Sequence, residues 1–175
     1  MHGLGNDYIY IDCMDGSFGG ADSSLIYDDD RLAEISRRLS DRHCGIGGDG
    51  IIMILPSDNA DFKMRIFNAD GSEAKMCGNG SRCVGKYVYD HHHTQKCDIT
   101  LETLSGVKYL HLVPGHDGRI VSVTVDMGLP ELTPNLIPVS VHAGCGNVDI
   151  PVNVAGEDLR LTAVSMGNPH GVVFV

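Results

Sequence analysis

The stretch Phe67-Asn68-Ala69-Asp70-Gly71-Ser72-Glu73-Ala74-Lys75-Met76-Cys77-Gly78-Asn79-Gly80-Ser81-Arg82-Cys83 changes its periodicity halfway along. Residues 63 to 68 alternate as a strand does and end on a polar residue. Asp70-Gly71 marks a tight turn, and a short return strand leads to Cys77. Beyond it, Val84, Tyr87 and Val88 recur at helical spacing. Cys77 is thereby placed where a strand ends and a helix begins. The first turn of a helix has N–H groups without intrahelical partners and a partial positive charge. Gly78 and Gly80 let the backbone approach a ligand, so the turn can cradle a carboxylate or a phosphate. The same field favours thiolate: a free cysteine titrates near about 8.5, and a helix N-terminus lowers that value. A cysteine that gains and loses its proton near neutral pH, beside an anion cradle, suits acid–base work on a carboxylated substrate. On this stretch alone a buried structural cysteine beside a glycine turn stays open as the alternative.

The surrounding composition narrows the class. At 175 residues the chain is one large domain or two small ones, and 42% hydrophobic with 21% charged residues is ordinary for a globular protein. The net charge of −10 argues against a nucleic-acid-binding surface. No apolar run has the length of a membrane span, and the start shows no signal peptide, so no membrane partner is expected. The six cysteines, at 13, 44, 77, 83, 97 and 145, contain no CxxC pair and read as reduced thiols of a cytoplasmic protein. Twenty-two glycines among short apolar runs indicate many turns and short strands.

Upstream, Tyr8 to Ile11 reads as a strand with Asn6 and Asp7 at its mouth, and the N-terminus looks clipped by a few residues. Residues 15–21 form a glycine-rich loop. Asp28 to Asp30 cap a helix whose apolar stripe is Leu32, Ile35 and Leu39, with Arg37 and Arg38 at its negative end. The aspartate run is therefore cap and solvated face rather than a metal site. Gly45 and Gly47-Gly48 stop this helix, and Ile51 to Leu55 is a buried strand. Downstream, His91-His92-His93 with Cys97 is a polar helix exit, because adjacent histidines point apart and a structural zinc needs four convergent ligands. Residues 98–104, 107–113 and 119–125 read as an antiparallel meander. Three prolines in residues 129–138 suggest a boundary, giving domains of 1–127 and 128–175. Residues 148–154 and 159–164 form a further hairpin. Asn168-Pro169-His170 holds an amide and an imidazole on a stiff loop between strands, and Val172 to Val175 opens a strand with no partner in the remaining sequence.

Five ordered pieces carry a family resemblance: Met1-His2-Gly3-Leu4-Gly5-Asn6-Asp7, Arg42-His43-Cys44-Gly45-Ile46-Gly47-Gly48-Asp49-Gly50, Phe67-Asn68-Ala69-Asp70-Gly71-Ser72, Met76-Cys77-Gly78-Asn79-Gly80-Ser81-Arg82-Cys83, and Met166-Gly167-Asn168-Pro169-His170. The sequence resembles diaminopimelate epimerase. The resemblance implies an α+β fold of two similar domains, each a curved, mostly antiparallel sheet wrapped around a central helix. This chain would hold the first domain and the start of the second. It implies inversion at one α-carbon of LL-2,6-diaminopimelate to the meso form, for lysine and peptidoglycan precursors, with no pyridoxal cofactor and no metal. Two cysteines act from opposite faces of the carbon, and Cys77 matches the one that takes the proton. Gly78 and Asn79 match the backbone that binds the α-carboxylate. Asn6, Asn68 and Asn168 match side chains that hold the substrate's ends, and His170 matches a residue that tunes the cysteine pair. Some members form homodimers.

Two departures bear on activity. The family's second cysteine, in a Cys-Gly turn beyond Asn-Pro-His, and a Glu-Arg pair lie beyond Val175, and Cys145-Gly146-Asn147 is a decoy that precedes a strand. Where some members carry a glutamine that touches substrate, this chain has Gly50. The chain is thus expected to be a fragment that does not epimerise diaminopimelate alone. A proline racemase-like or phenazine-isomerase-like relative is disfavoured by the Asn6 and Asn68–Ser72 blocks. A non-catalytic module that binds a ligand or partner is the reading from a different class.

Overall fold

A computed structural model describes residues 1–16, 18, 28–141 and 146–174. It divides into two compact units, Met1–Asp126 and Met127–Val175.

The first unit opens with a hairpin that the sequence reading missed: β1 (His2–Gly3) pairs with β2 (Asn6–Asp7). Leu4 and Gly5 between them adopt φ of 56° and 85°, the left-handed pair that two-residue hairpins need. The main sheet comprises β3 (Ile9–Asp12), β4 (Gly50–Leu55), β5 (Phe62–Asn68), β6 (Glu73–Ala74), β7 (Asp98–Thr103), β8 (Gly106–Pro114) and β9 (Ile120–Asp126). Their order is β3-β4-β5-β7-β8-β9, with β6 also on β5. The β3–β4 and β5–β7 pairs are parallel and the others antiparallel. The expected architecture, α+β with a mostly antiparallel sheet, is the one observed. The return strand before Cys77 is shorter than read, since β6 ends at Ala74.

Two helices pack on this sheet among the described residues. In α1 (Asp29–Ser40), Asp28 caps the N-terminus by accepting from Arg31 N–H at 3.0 Å, and Arg37 and Arg38 lie in the last turn. Its Leu32 is fully buried with Cys13, Ile51, Met53, Leu55 and Phe67. All six residues of β4 are buried, as expected of a strand covered on both faces. The second helix, α2 (Gly78–Asp90), begins directly after Cys77, where the periodicity changes.

Around α2 the sheet must curve, because strands far apart in its order meet the same helix. A Cβ built on Gly80 would lie 2.5 Å from Ile52 of β4. One on Gly85 would lie 2.8 Å from Leu112 of β8 and 3.3 Å from Val123 of β9. Glycine at these two positions lets the helix backbone sit against the sheet. At the far end of α2 the histidine run forms no metal cluster. His93 Nε2 and Tyr87 OH both reach Asp12 Oδ2, at 2.7 and 3.1 Å, and the Tyr87 ring stacks on His91 at 4.1 Å. Among the described residues no group of three or more His, Cys, Asp or Glu could hold a metal ion.

The second unit is a three-stranded antiparallel sheet of β10 (Ile150–Val154), β11 (Glu157–Ser165) and β12 (Pro169–Val173). Here two expectations are corrected. Asn168-Pro169-His170 is not wholly a loop: Pro169 and His170 already belong to β12, where proline is tolerated as the first strand residue. The strand opened near Val172 does have a partner, with Val172 opposite Thr162, because β11 offers hydrogen-bonding edges on both sides. Cys145, and most of the glycine-rich loop at residues 15–21, lie outside the described residues. Asn147 donates its side-chain amide to the Ala163 carbonyl at 2.8 Å and leads into β10.

Candidate active site

The start of α2 is built from its first residue upward. Cys77 has extended backbone, φ −142° and ψ 104°, and is the N-cap: its sulfur accepts the Gly80 N–H at 3.2 Å. Its carbonyl takes the first helical bond, from Ser81 N–H at 2.8 Å, and also the Ser81 hydroxyl at 2.9 Å. Ser81 is fully buried, so the cap is fixed from beneath. Helical geometry leaves the Gly78 and Asn79 N–H groups without i−4 carbonyl acceptors, as an anion cradle requires, and the Asn79 N–H also acts on the Cys77 sulfur. The Asn79 side-chain oxygen accepts from Arg82 one turn on.

The β1–β2 hairpin lies over this turn. A Cβ on Gly3 would stand 3.1 Å from Asn79 Cβ. Asn6 in β2 directs its Nδ2 to the Cys77 sulfur at 3.9 Å. The hairpin is braced from outside by Arg42, which reaches Asp7 at 2.7 Å and Asp49 at 3.1 Å. The Arg42 guanidinium holds the Asp7 carboxyl down at about 2.

Asn68 ends β5 and both its amide atoms are engaged. Its Oδ1 accepts from Tyr8 OH at 3.1 Å and its Nδ2 donates to Ser72 Oγ at 3.0 Å; Ser72 in turn reaches Asp70 at 2.6 Å. From α1, buried Ser36 bonds the carbonyls of Phe67 and Asn68 at 2.9 and 2.8 Å. Tyr8 was not singled out from sequence, yet it ties Asn68 to the sulfur's surroundings. Burial and then the Cys77 charge push its phenol up to about 12. Gly50 makes room for it, since a Cβ there would lie 2.8 Å from the Tyr8 ring and collide with the Phe67 carbonyl. An extended Asn-Asp-Tyr run gives little sign of this.

One expectation about Cys77 is reversed. The helix terminus was expected to depress its pKa, but the thiol is pushed up. Burial outweighs the Gly80 and Asn79 N–H groups that pull it down, Cys83 adds to the rise, and Arg82 opposes it. The residue is nonetheless half-buried rather than sealed.

The structure therefore gathers Cys77, Asn6, Gly78 and Asn79 at one helix end, with Asn68 linked through Tyr8. Within the second unit, His170 Nε2 lies 3.1 Å from Asn168 Oδ1, with His170 exposed and Asn168 half-buried. No helix among the described residues is long and apolar enough to cross a membrane.

The model of the family "Diaminopimelate epimerase" matches residues 1–133. A diaminopimelate epimerase of Acetivibrio thermocellus is 49% identical over 175 residues, covering 100% of this chain and 58% of its own length. One from Desulfovibrio desulfuricans is 50% identical over 180 residues, again covering 100% of this chain and 58% of the relative. This chain thus spans under two thirds of the length of these relatives. Among solved structures, a hydroxyproline epimerase from Agrobacterium vitis aligns with a TM-score of 0.60 at 18% identity, over 83% of this chain and 43% of that one. A PhzF-family phenazine biosynthesis protein from Bacillus anthracis aligns with a TM-score of 0.53 at 18% identity, over 86% and 47%. These two share the fold. With the family model spanning the whole of the first unit and about half the residues identical to such relatives, this chain belongs to the diaminopimelate epimerase family.

Proposed function

We propose that this chain supplies one of two proton-transferring thiols of a cofactor-independent epimerase converting LL-2,6-diaminopimelate to meso-diaminopimelate, in cytoplasmic synthesis of lysine and peptidoglycan precursors. The observation that carries the reading is a half-buried sulfur at a helix N-cap, 3.2 Å from the Gly80 N–H, at a first turn whose backbone N–H groups face a carboxylate bound beside it. Taking a proton from the α-carbon drives negative charge onto that carboxylate. The Gly78 and Asn79 amides stand where the charge grows, which is preorganised electrostatic stabilisation. Burial that raises the Cys77 pKa makes its thiolate a stronger base once formed, and a bound α-ammonium supplies the opposing charge. Asn6, Asn68 and Asn168 hold the substrate, and His170 tunes the thiols. Residues 1–127 make up the first domain and 128–175 begin the second. The mechanism takes two thiols, so residues 1–175 alone are not expected to turn over.

The test joins residues 1–175 to the C-terminal remainder of the Acetivibrio thermocellus relative and follows meso-diaminopimelate formation. The fusion should turn over, and Cys77→Ala should slow it by about 10²–10⁴-fold. Turnover that survives Cys77→Ala, or turnover by residues 1–175 alone that is lost on Cys77→Ala, overturns the reading.

A further inference from the structure

The Asn6–Cys77 contact has a chemical consequence beyond holding substrate. The Cys77 sulfur already accepts one backbone N–H, from Gly80 at 3.2 Å, and the Asn6 Nδ2 approaches at 3.9 Å from a different element. Asn6 Oδ1 is buried and has no hydrogen-bond partner among the described residues. Leaving a buried carbonyl oxygen unpaired costs on the order of 1–3 kcal/mol. When the amide rotates, Oδ1 is brought to the sulfur and can accept from the thiol S–H, while Nδ2 turns into the position Oδ1 held. A thiol that shuttles a proton visits both charge states, and each needs the opposite partner: a donor for thiolate, an acceptor for S–H. A carboxamide with one atom on the sulfur and the other unclaimed offers both.

We propose that Asn6 is a positioning residue for the Cys77 thiol, donating its amide N–H to the thiolate and, rotated, accepting from the S–H through Oδ1. The hairpin that carries Asn6 is held for this by the Arg42 clamp on Asp7 and Asp49 and by the close approach of Gly3 to Asn79. The other titratable groups around the sulfur are Arg82 and Cys83 from α2, Tyr10 from β3, and Tyr8 beside it. Of the two phenols, Tyr8 OH is committed to Asn68, and Tyr10 OH, buried without a hydrogen-bond partner among the described residues like Asn6 Oδ1, interacts with Cys83 ahead of Cys77; the side-chain amide in contact with the Cys77 sulfur is that of Asn6. The role deepens the reading of Cys77 as a proton carrier and rests on it for its purpose, but the contact is testable without turnover, so the two can fail separately.

The experiment is peptide-resolved alkylation of the 1–175 protein with iodoacetamide across pH, read by mass spectrometry. In Asn6→Asp the carboxylate cannot donate and adds a like charge, so the Cys77 midpoint should rise by about one pH unit, a roughly tenfold slower reaction at fixed pH below it. Asn6→Ala should move it the same way by less. Buried Cys13 and Cys83 report the fold, because general loosening accelerates them as well. An unchanged Cys77 midpoint with Cys13 and Cys83 still protected overturns the proposal. The wild-type protein gives a second reading that no misfolded variant can spoil. The Asn6 side-chain amide NMR signals should titrate with the Cys77 midpoint, and signals that stay still across it overturn the proposal too.

Discussion

At Cys77 two physical effects of opposite sign meet on one sulfur. The helix terminus pulls the thiol toward thiolate, burial pushes it back, and burial prevails. Cys77 alkylation should therefore be slow at neutral pH and quicken on the alkaline side of the ordinary cysteine range, whereas Cys44, exposed to reagent, should be alkylated faster at neutral pH; Cys77 reacting ahead of Cys44 there would contradict this. Asp7 shows the opposite balance. Its carboxyl sits at about 2 instead of 3.8, chiefly through the Arg42 hydrogen bond. A carboxyl depressed in the folded state favours folding above its unfolded pKa, and that contribution fades as pH falls through the folded value. Acid unfolding curves should thus lose a component between pH 3.8 and about 2 in the Asp7→Asn protein. The contribution is small because the pair is exposed. Residue chemistry was the most legible part of the sequence: Cys77, Gly78 and Asn79 lie at the helix start anticipated for them. The sign of the Cys77 shift was not legible, because desolvation belongs to the packed environment and not to the residue.

The elements divide into those with local signals and those without. Helix α1 carries its own start, Asp28, and an apolar stripe seated on β4. Asp28→Ala should cost about 1 kcal/mol through loss of the cap. Leu32→Ala should cost about 2–5 kcal/mol, since Leu32 is fully buried among Ile51, Met53, Leu55 and Phe67. Urea midpoints would separate the two, and equal losses would mean that α1 is held by its ends and not by its face. Strands β4, β5, β7, β8 and β9 also announced themselves, by apolar runs and turn residues. The β1–β2 hairpin did not. Two-residue strands have no periodicity to read, and Leu4 takes a left-handed φ that a leucine does not advertise. β12 was half legible: Val172 marked it, but its partner was hidden because β11 pairs on both edges.

For the whole molecule, the two compact units differ in how much core each owns. Residues 1–126 contain nearly all the buried apolar side chains, whereas Ile137 and Ala163 are the described ones of the second unit. A polypeptide of residues 1–127 should therefore melt cooperatively by itself, while residues 128–175 alone should show no cooperative transition by circular dichroism. A sharp melt for 128–175 would mean that its three strands carry a core of their own.

From the amino-acid order alone came the helix start at Cys77, the cap and stripe of α1, the buried run of β4 and the family pattern. Each is encoded within a few neighbouring residues, where turn chemistry and periodicity act. Only the tertiary structure brought Asn6 to a sulfur 71 positions away, Tyr8 to an amide 60 positions away, and enough hydrocarbon around the thiol to reverse its expected shift. Those outcomes depend on how a sheet curves round one helix, and burial and long-range approach are set by packing that no local stretch of chain contains.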